Sequence, residues 1–395
     1  MWLRKEHEEF RNRIREFAES EISPRAAELD AQQIYPQSLI DRLCEMGLLG
    51  MQVDKKYGGT FTDSLTYIIA VEELSRVCAS TGIIVAAHNS LGAYPIYRFG
   101  TEKQKQEYLP EITRGGKLAA FGLSEPGAGS DAGGTRTFAS KVEGGYRVNG
   151  SKCWITNGGV CSTMVFTART SRESGVKGIT SFILKQGTPG FIVGKKENKL
   201  GVRGSDTRVL HFEDMFVPES DRLGEEGQGF KQFMITLDGG RVSIAAMALG
   251  IAQGAYDVAI KYATRRRQFG QAIAGFQAVA FKLADMATQI QAARHLVYHA
   301  AVLKDQPGVR FSKESAMAKL YASEVANFVT YSAIGILGAA GYSEDYPVER
   351  MYRDAKLCEI GEGTSEIQRI VISRILTEEA MESVSDFGMP VGKTI

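Results

Sequence analysis

The chain lacks the features that would place it in several large classes. Its five cysteines (Cys44, Cys78, Cys153, Cys161, Cys358) form no CxxC pair, show no metal-ligand spacing and are odd in number. They read as reduced thiols filling a core, and no metal site is expected. An excess of one charge is missing too. The 47 Lys and Arg against 46 Asp and Glu leave a net +1, which argues against a polyanion such as nucleic acid as partner. No uninterrupted apolar run is long enough to span a bilayer, so no membrane association is expected. The N-terminus is charged from Arg4 and acidic at Glu6, Glu8 and Glu9, unlike a secretory signal or an acid-poor transit peptide. The expected setting is the bacterial cytoplasm, or the mitochondrial matrix for a processed chain. Internal repeats, low-complexity tracts and flexible linkers are also missing.

What is present suits a soluble globular protein, with 44% hydrophobic and 24% charged residues. At 395 residues the chain exceeds one ordinary core, and two or three lobes are expected. Residues 1–115 pattern as helices, including a stretch from Leu65 to Val77, and Thr101 with Gln104 makes a capping box. Residues 116–225 change to short β-rich runs such as Met164–Ala168, Ile179–Leu184 and Val209–Val217. In residues 226–395 long helices return. Phe276, Val279, Leu283, Met286, Ile290, Ala293, Val297 and Ala300 alternate spacings of three and four, as do Ile244, Ala248, Ile251, Ala255, Val258 and Tyr262. Such seams belong to a bundle with close neighbours. The fold class is α+β.

Within Asp354–Arg374, an isolated carboxylate, Glu362, lies between Gly361 and Gly363. Thr364-Ser365-Glu366 follows and looks like a helix start. Flanking glycines let backbone approach a ligand closely, and Thr364 or Ser365 as N-cap leaves N–H groups free for a polarised oxygen. A carboxylate beside such donors can take a proton from carbon while they stabilise the developing charge. Taken alone, the segment also fits a Gly-rich loop joining two helices. Phe121–Asp131 leaves a strand (Leu118–Leu123) for a loop with Gly127 and Gly129; it lacks a P-loop lysine, which disfavours nucleoside triphosphates. Trp154 sits at an apolar strand end, where a core role is the plain alternative. Arg265-Arg266-Arg267 near a helix C-terminus also suits a solvated, dipole-favoured end.

Five ordered motifs, FGLSEPGAGSD (Phe121–Asp131), WIT (Trp154–Thr156), TLDGGR (Thr236–Arg241), RRQFG (Arg266–Gly270) and GEGTSEIQR (Gly361–Arg369), together resemble the acyl-CoA dehydrogenase family, in its short-chain (butyryl-CoA-like) branch. The resemblance implies an N-terminal helical domain, a β-barrel-like middle domain clamped between helical lobes, and a C-terminal four-helix bundle. It implies FAD as cofactor, an acyl-CoA thioester as substrate, an electron-transfer flavoprotein as acceptor, and a homotetramer built as a dimer of dimers. By the same resemblance Glu362 is the catalytic base, and Phe121, Leu123, Ser124, Gly129, Ser130, Trp154, Ile155 and Thr156 line the flavin. Arg266, Phe269 and Gln277 serve a neighbour's FAD, Ile336, Leu337, Gly338 and Ala339 form a second flavin segment, and Thr364 and Glu366 complete the cofactor set. Ser130, Asp238, Arg241, Gly361 and Gly363 face the acyl-CoA.

The chain departs from the family at several points. Gly361 replaces the usual tyrosine, so a pocket wide enough for branched or cyclic acyl groups is expected unless Tyr94 or Tyr97 fills it. Gly335 replaces the usual glutamine. Gly240 occupies the position where isovaleryl and long-chain relatives place their carboxylate, leaving Glu362 as the base on offer. Met1-Trp2 lacks the polar cap usual before the first helix. An oxygen-reducing oxidase and a non-catalytic helical scaffold are the competing classes. Retention of Thr156, Arg266, Glu362 and both glycine loops speaks against the scaffold.

Overall fold

Local sequence signals set the helix boundaries of the first lobe. The computed structural model describes residues 3–387; the outer ends of the first and last expected domains, and Met1-Trp2, lie outside the described residues. The lobe contains α1 (Lys5–Phe17), α2 (Ala26–Ala31), α3 (Gln37–Glu45), α4 (Ser64–Val77), α5 (Ala79–Ala87), α6 (Tyr94–Phe99) and α7 (Glu102–Arg114). Asp63 caps α4 by accepting from Thr66 N–H at 2.7 Å. At α7 the capping box forms in both directions: Thr101 Oγ1 accepts from Gln104 N–H, and Gln104 Oε1 from Thr101 N–H. A π-helical stretch, His88–Ala93, joins α5 to α6.

Eight strands follow: β1 (Leu118–Gly122), β2 (Phe138–Val142), β3 (Gly145–Thr156), β4 (Cys161–Arg169), β5 (Ile179–Lys185), β6 (Phe191–Lys196), β7 (Thr207–Pro218) and β8 (Arg222–Leu223). They pair in the order β6-β7-β3-β2-β4-β5-β8, with β1 joined parallel to β4. Their core holds Phe166, Phe182 and Phe212, with ring centroids 4.8 and 5.5 Å apart across Phe166.

The last lobe comprises α8 (Gly229–Arg265), a small hairpin of β9 (Arg267–Gln268) and β10 (Gln271–Ala272), α9 (Gln277–Lys304), α10 (Ser312–Leu337), α11 (Ala339–Tyr342), α12 (Val348–Ile360) and α13 (Ser365–Phe387). Over 37 residues α8 runs about 55 Å. By length and composition it could cross a membrane, but it is mostly buried in the protein, where it is a core helix. Two glycines on α8 let α4 lie against it backbone to backbone. A Cβ on Gly250 would fall 2.2 Å from Glu72 O, and one on Gly254 would fall 2.1 Å from Arg76 O. The two helical lobes therefore share one continuous core, from Ile14 through Ile68 and Leu249 to Val329. The periodicity of α8 signals neighbours but not that the partner lies in the other lobe. The β domain leans on this core through β1, against α5 and the π-helical stretch.

Candidate active site

After α12 ends at Ile360, Gly361 is extended (φ −68°, ψ 149°) and two successive residues turn left-handed, Glu362 (φ 55°) and Gly363 (φ 95°). For a glutamate that conformation costs about 1–3 kcal/mol and persists only where the surroundings enforce it. Here they do. Lys319 Nζ donates to Gly363 O at 2.7 Å, and Gln368 Nε2 donates to the same oxygen at 2.8 Å. Thr364, one of the two caps the sequence allows, caps α13 by accepting from Ile367 N–H at 3.3 Å. Ile367 N–H is spent on that cap and Gln368 N–H on Thr364 O, so the first-turn donors left without an intrahelical backbone or cap partner are those of Ser365 and Glu366.

The Glu362 side chain reaches α8. An ideal Cβ on Gly240 would stand 1.9 Å from Glu362 Oε2 and 2.9 Å from Leu91 Cδ2, so the absence of a side chain at 240 makes the space the carboxylate fills. Oε2 has no hydrogen-bond partner among the described residues. Burial pushes the Glu362 carboxyl up to about 7, against the pull of Lys319 and Arg241. Arg241, itself buried, donates to Asp238 at 2.5 Å, and Asp238 also accepts from Ser312 Oγ at 2.5 Å. Burial outweighs that pairing, raising Asp238 and lowering Arg241. A carboxyl poised near neutrality, with one buried oxygen unpartnered among the described residues, suits proton abstraction.

Next to Leu91, Gly92 packs on Ala119 of β1, where an added Cβ would meet the Ala119 Cβ at 2.5 Å. These consecutive residues tie the carboxylate corner to the strand that feeds the Phe121–Asp131 loop. That loop is held by a fully buried lysine on β3. Lys152 Nζ donates to Leu123 O (3.0 Å), Glu125 Oε1 (2.8 Å) and Thr167 Oγ1 (3.3 Å), while Glu125 also accepts from Arg136 and Thr137 N–H. Cys153 N–H donates to Ser124 O at 2.9 Å, which joins the loop to the WIT strand. The β3–β7 register shifts between Lys152 and Ile155, and this bulge carries Trp154 outward with φ 61° and 62% exposure. Trp154 is therefore not a core residue. Thr156 is half-buried and Ser130 exposed, but the Ile155 side chain lies in the β core, so only its backbone is available to a ligand.

These features fit a flavin. An indole offers a stacking face, Cβ atoms added at Gly127 and Gly129 meet nothing within 4 Å, and Glu362 Oε2, Ser365 Oγ and Gln368 Oε1 are buried without partners. The residues assigned to a neighbour's cofactor sit elsewhere. Arg266 and Gln277 are exposed, and Phe269, at the tip of the β9–β10 hairpin, is 93% exposed with φ 49°. Because α8 ends at Arg265 with Arg266 as its C-cap, the helix-end explanation of the basic run covers those two arginines and leaves Arg267 outside. Ile336 and Leu337 are buried in the helical core, whereas Gly338 (φ 62°) and Ala339 are exposed. Gly335 is exposed at the same end of α10.

Around Gly361 an added Cβ has Leu357 atoms as its nearest neighbours, at 3.5–3.8 Å, which is ordinary contact. Neither tyrosine considered for the gap is among those nearest atoms. Tyr97 bonds Asp54 at 2.7 Å, and Tyr94 packs under Lys304 Nζ, 5.0 Å from its ring centre. Sequence reasoning missed Lys319, Gln368, Leu91 and Lys152. Lys319 did leave a signal, a charge within the small-residue stripe Ser315, Ala318, Ala322, Ala326 of α10.

Comparison with known proteins adds to this geometry. The chain matches the family profiles described as acyl-CoA dehydrogenase N-terminal domain over residues 4–116, middle domain over 120–215 and C-terminal domain over 227–377. It is 50% identical to "Acyl-CoA dehydrogenase, short-chain specific" of Clostridium acetobutylicum over 371 residues, covering 94% of this chain and 98% of that protein. Among solved structures, butyryl-CoA dehydrogenase from Megasphaera elsdenii superposes with a TM-score of 0.93 at 47% identity, over 95% of this chain and 99% of that one. A chain from work on the electron transferring flavoprotein of Acidaminococcus fermentans also gives 0.93, at 50% identity, over 95% and 98%.

Proposed function

The chain belongs to the acyl-CoA dehydrogenase family, and on that premise we propose that Glu362 is its base, removing the α-proton of a short-chain acyl-CoA to give the 2-enoyl-CoA. The protein is an oxidoreductase with FAD as cofactor. Bound FAD would supply the acceptor for the β-hydrogen as hydride, with an electron-transfer flavoprotein as the onward acceptor of the electrons. The observation that carries the reading is the unpartnered Glu362 Oε2, held over Gly240 by a strained backbone. Glu362 accepts the proton at its carboxylate, and the free N–H groups around 362–366 polarise the thioester carbonyl, which acidifies the α-carbon. Phe121, Leu123, Ser124, Gly129, Ser130, Trp154, Thr156 and the Ile155 backbone would hold the cofactor, with Thr364 and Glu366 completing the set. Asp238 and Arg241 secure the CoA portion. Expelling water around the carboxylate strengthens it as a base. Holoprotein should be yellow, bleach with butyryl-CoA without air and recolour slowly in air. Rapid recolouring with peroxide would make it an oxidase, and a colourless preparation would leave the scaffold reading. The same reading places the reaction in the bacterial cytoplasm, or in the mitochondrial matrix for a processed chain, which cell fractionation checks.

The assembly is a homotetramer, a dimer of dimers, in which Arg266, Phe269, Gln277, Gly338 and Ala339 complete a neighbour's FAD site. An almost fully exposed Phe269, with Phe281 (62%) and Tyr331 (68%) exposed on α9 and α10, supports the reading, since apolar surface of this kind marks interfaces. Dilution should release FAD as the tetramer dissociates; a flavin-loaded monomer by light scattering contradicts it.

The acyl pocket accepts branched or cyclic groups beside the α- and β-carbons. A Cβ at Gly361 would make only ordinary contacts, all with Leu357, so a side chain can start there, and the tyrosine that glycine replaces would bury about 150–250 Å². The wild type should therefore use isobutyryl-, 2-methylbutyryl- or cyclohexanecarboxyl-CoA as well as or better than butyryl-CoA. Gly361→Tyr should reverse the order in kcat/KM, and an unchanged ranking rules Gly361 out as the determinant.

A further inference from the structure

One cation beside Glu362 has no part in the chemistry assigned so far. Lys319 sits about two turns into α10 with no exposed surface, and its side chain crosses to the loop behind the carboxylate. There Nζ donates to Gly363 O, the carbonyl one residue beyond Glu362. Among the described residues no carboxylate lies within ion-pair distance of this ammonium. A buried, unpaired ammonium is costly, and such a group is kept where its charge acts on something.

Every neighbouring element contributes to the field it works in. From α8 come Arg241 and Asp238, from α4 Tyr67, from α12 Cys358 and Glu359, and from α13 Arg374. The Arg241 charge is spent largely on Asp238, 2.5 Å away. Lys319 has no such partner, and its influence falls on Glu362 as the largest one opposing burial. Burial in turn draws Lys319 down to about 8, with Cys358 and Glu362 holding it up.

We propose that Lys319 is a positioning residue for the base: its buried ammonium clamps the Gly363 carbonyl, keeping the Glu362 carboxylate over Gly240, and brings a cation without a carboxylate partner to the loop that carries it. The proposal rests on Glu362 being the base. It predicts that replacing the ammonium by a neutral group of similar length leaves Glu362 protonated to higher pH, because burial then acts with less opposition. The base works when ionised, so the acid limb of the reaction moves to higher pH.

The test uses FAD-loaded Lys319→Met and Lys319→Arg beside wild type and Glu362→Gln. Infrared difference spectra, wild type or Lys319 variant against the same protein carrying Glu362→Gln, follow the Glu362 carboxyl stretch through a pH titration and give its protonation midpoint without turnover. Rates of anaerobic flavin bleaching are measured over the same range. In Lys319→Met the midpoint and the acid limb should rise by about one unit or more, so that bleaching below the midpoint slows about tenfold. Lys319→Arg keeps the charge and should restore both towards wild type. A purely structural role would lower stability in both variants and leave the midpoint in place. Should Lys319→Met fail to fold, Lys319→Gln takes its place, keeping a donor for Gly363 O without the charge. A folded, neutral variant that titrates like wild type overturns the proposal. Bleaching of Glu362→Gln at the wild-type rate instead removes the assignment of the base itself, so the two failures are distinct.

Discussion

Glu362→Gln is expected to lower turnover by about 10²–10⁴-fold or more while keeping the fold and the FAD, the range that follows loss of a positioned general base. The side chains are nearly isosteric, and Gly240 already provides the space at their tip. Wild-type kcat/KM should rise with pH through about 7, where the free-enzyme carboxyl ionises, and the variant should lose that limb. Stability should move the other way. A carboxyl whose folded value is raised binds more protons in the native state between the ordinary carboxylate range and about 7, so the wild type loses stability as pH rises through that window. Glutamine has no such penalty. Above pH 7 the variant should withstand chemical denaturation at least as well as the wild type. Near wild-type flavin bleaching by Glu362→Gln would sink the assignment.

Lys152→Met is expected to cost about 3–5 kcal/mol of unfolding free energy, the usual consequence of removing one partner from a buried ion pair. Its ammonium makes three hydrogen bonds from a fully buried position, and Glu125 is 6% exposed. Burial pushes the Glu125 carboxyl up, but Lys152 and the Arg136 and Thr137 donors outweigh it and hold it below the ordinary range. Without Lys152 the carboxylate must protonate or drag water into the sheet. Adding Glu125→Gln should recover part of the loss, since a neutral amide still accepts from the backbone N–H groups. Because Lys152 also fixes Leu123 O, FAD should dissociate more readily from the single variant. Denaturant titration and FAD retention on gel filtration check this, and a single variant within about 1 kcal/mol of wild type shows that the pair is not a structural anchor.

The sequence makes local features legible and conceals remote pairings. The Thr101–Gln104 box is visible because both partners lie within one turn, and the Glu362 loop because glycines flank a charge before a helix cap. The three-and-four spacing along α8 reveals a buried face. It does not reveal that Gly250 and Gly254 press on α4, some 180 residues earlier, since periodicity carries no partner identity. Trp154 was open between core and surface because a strand pattern assigns alternate faces, and the bulge at Cys153–Trp154 breaks that alternation. Lys152, in NGSKCWIT, reads as an ordinary polar strand position until Glu125 is seen beneath it. Lys319 was passed over for a related reason: its acceptor is a backbone carbonyl 44 residues away, and no side-chain pattern encodes a carbonyl.

The contact between Glu362 Oε2 and the bare Cα of Gly240 also constrains how such enzymes diverge. The family resemblance puts the base of isovaleryl and long-chain relatives at the position of Gly240, and here the two positions open onto a single corner. Residues 240 and 362 therefore compete for one volume: a side chain added at 240 is accommodated only if the flexible end of Glu362 swings aside, which takes the carboxylate from its place. Gaining a group at 240 and keeping the base at 362 are coupled changes, and neither position varies without regard to the other.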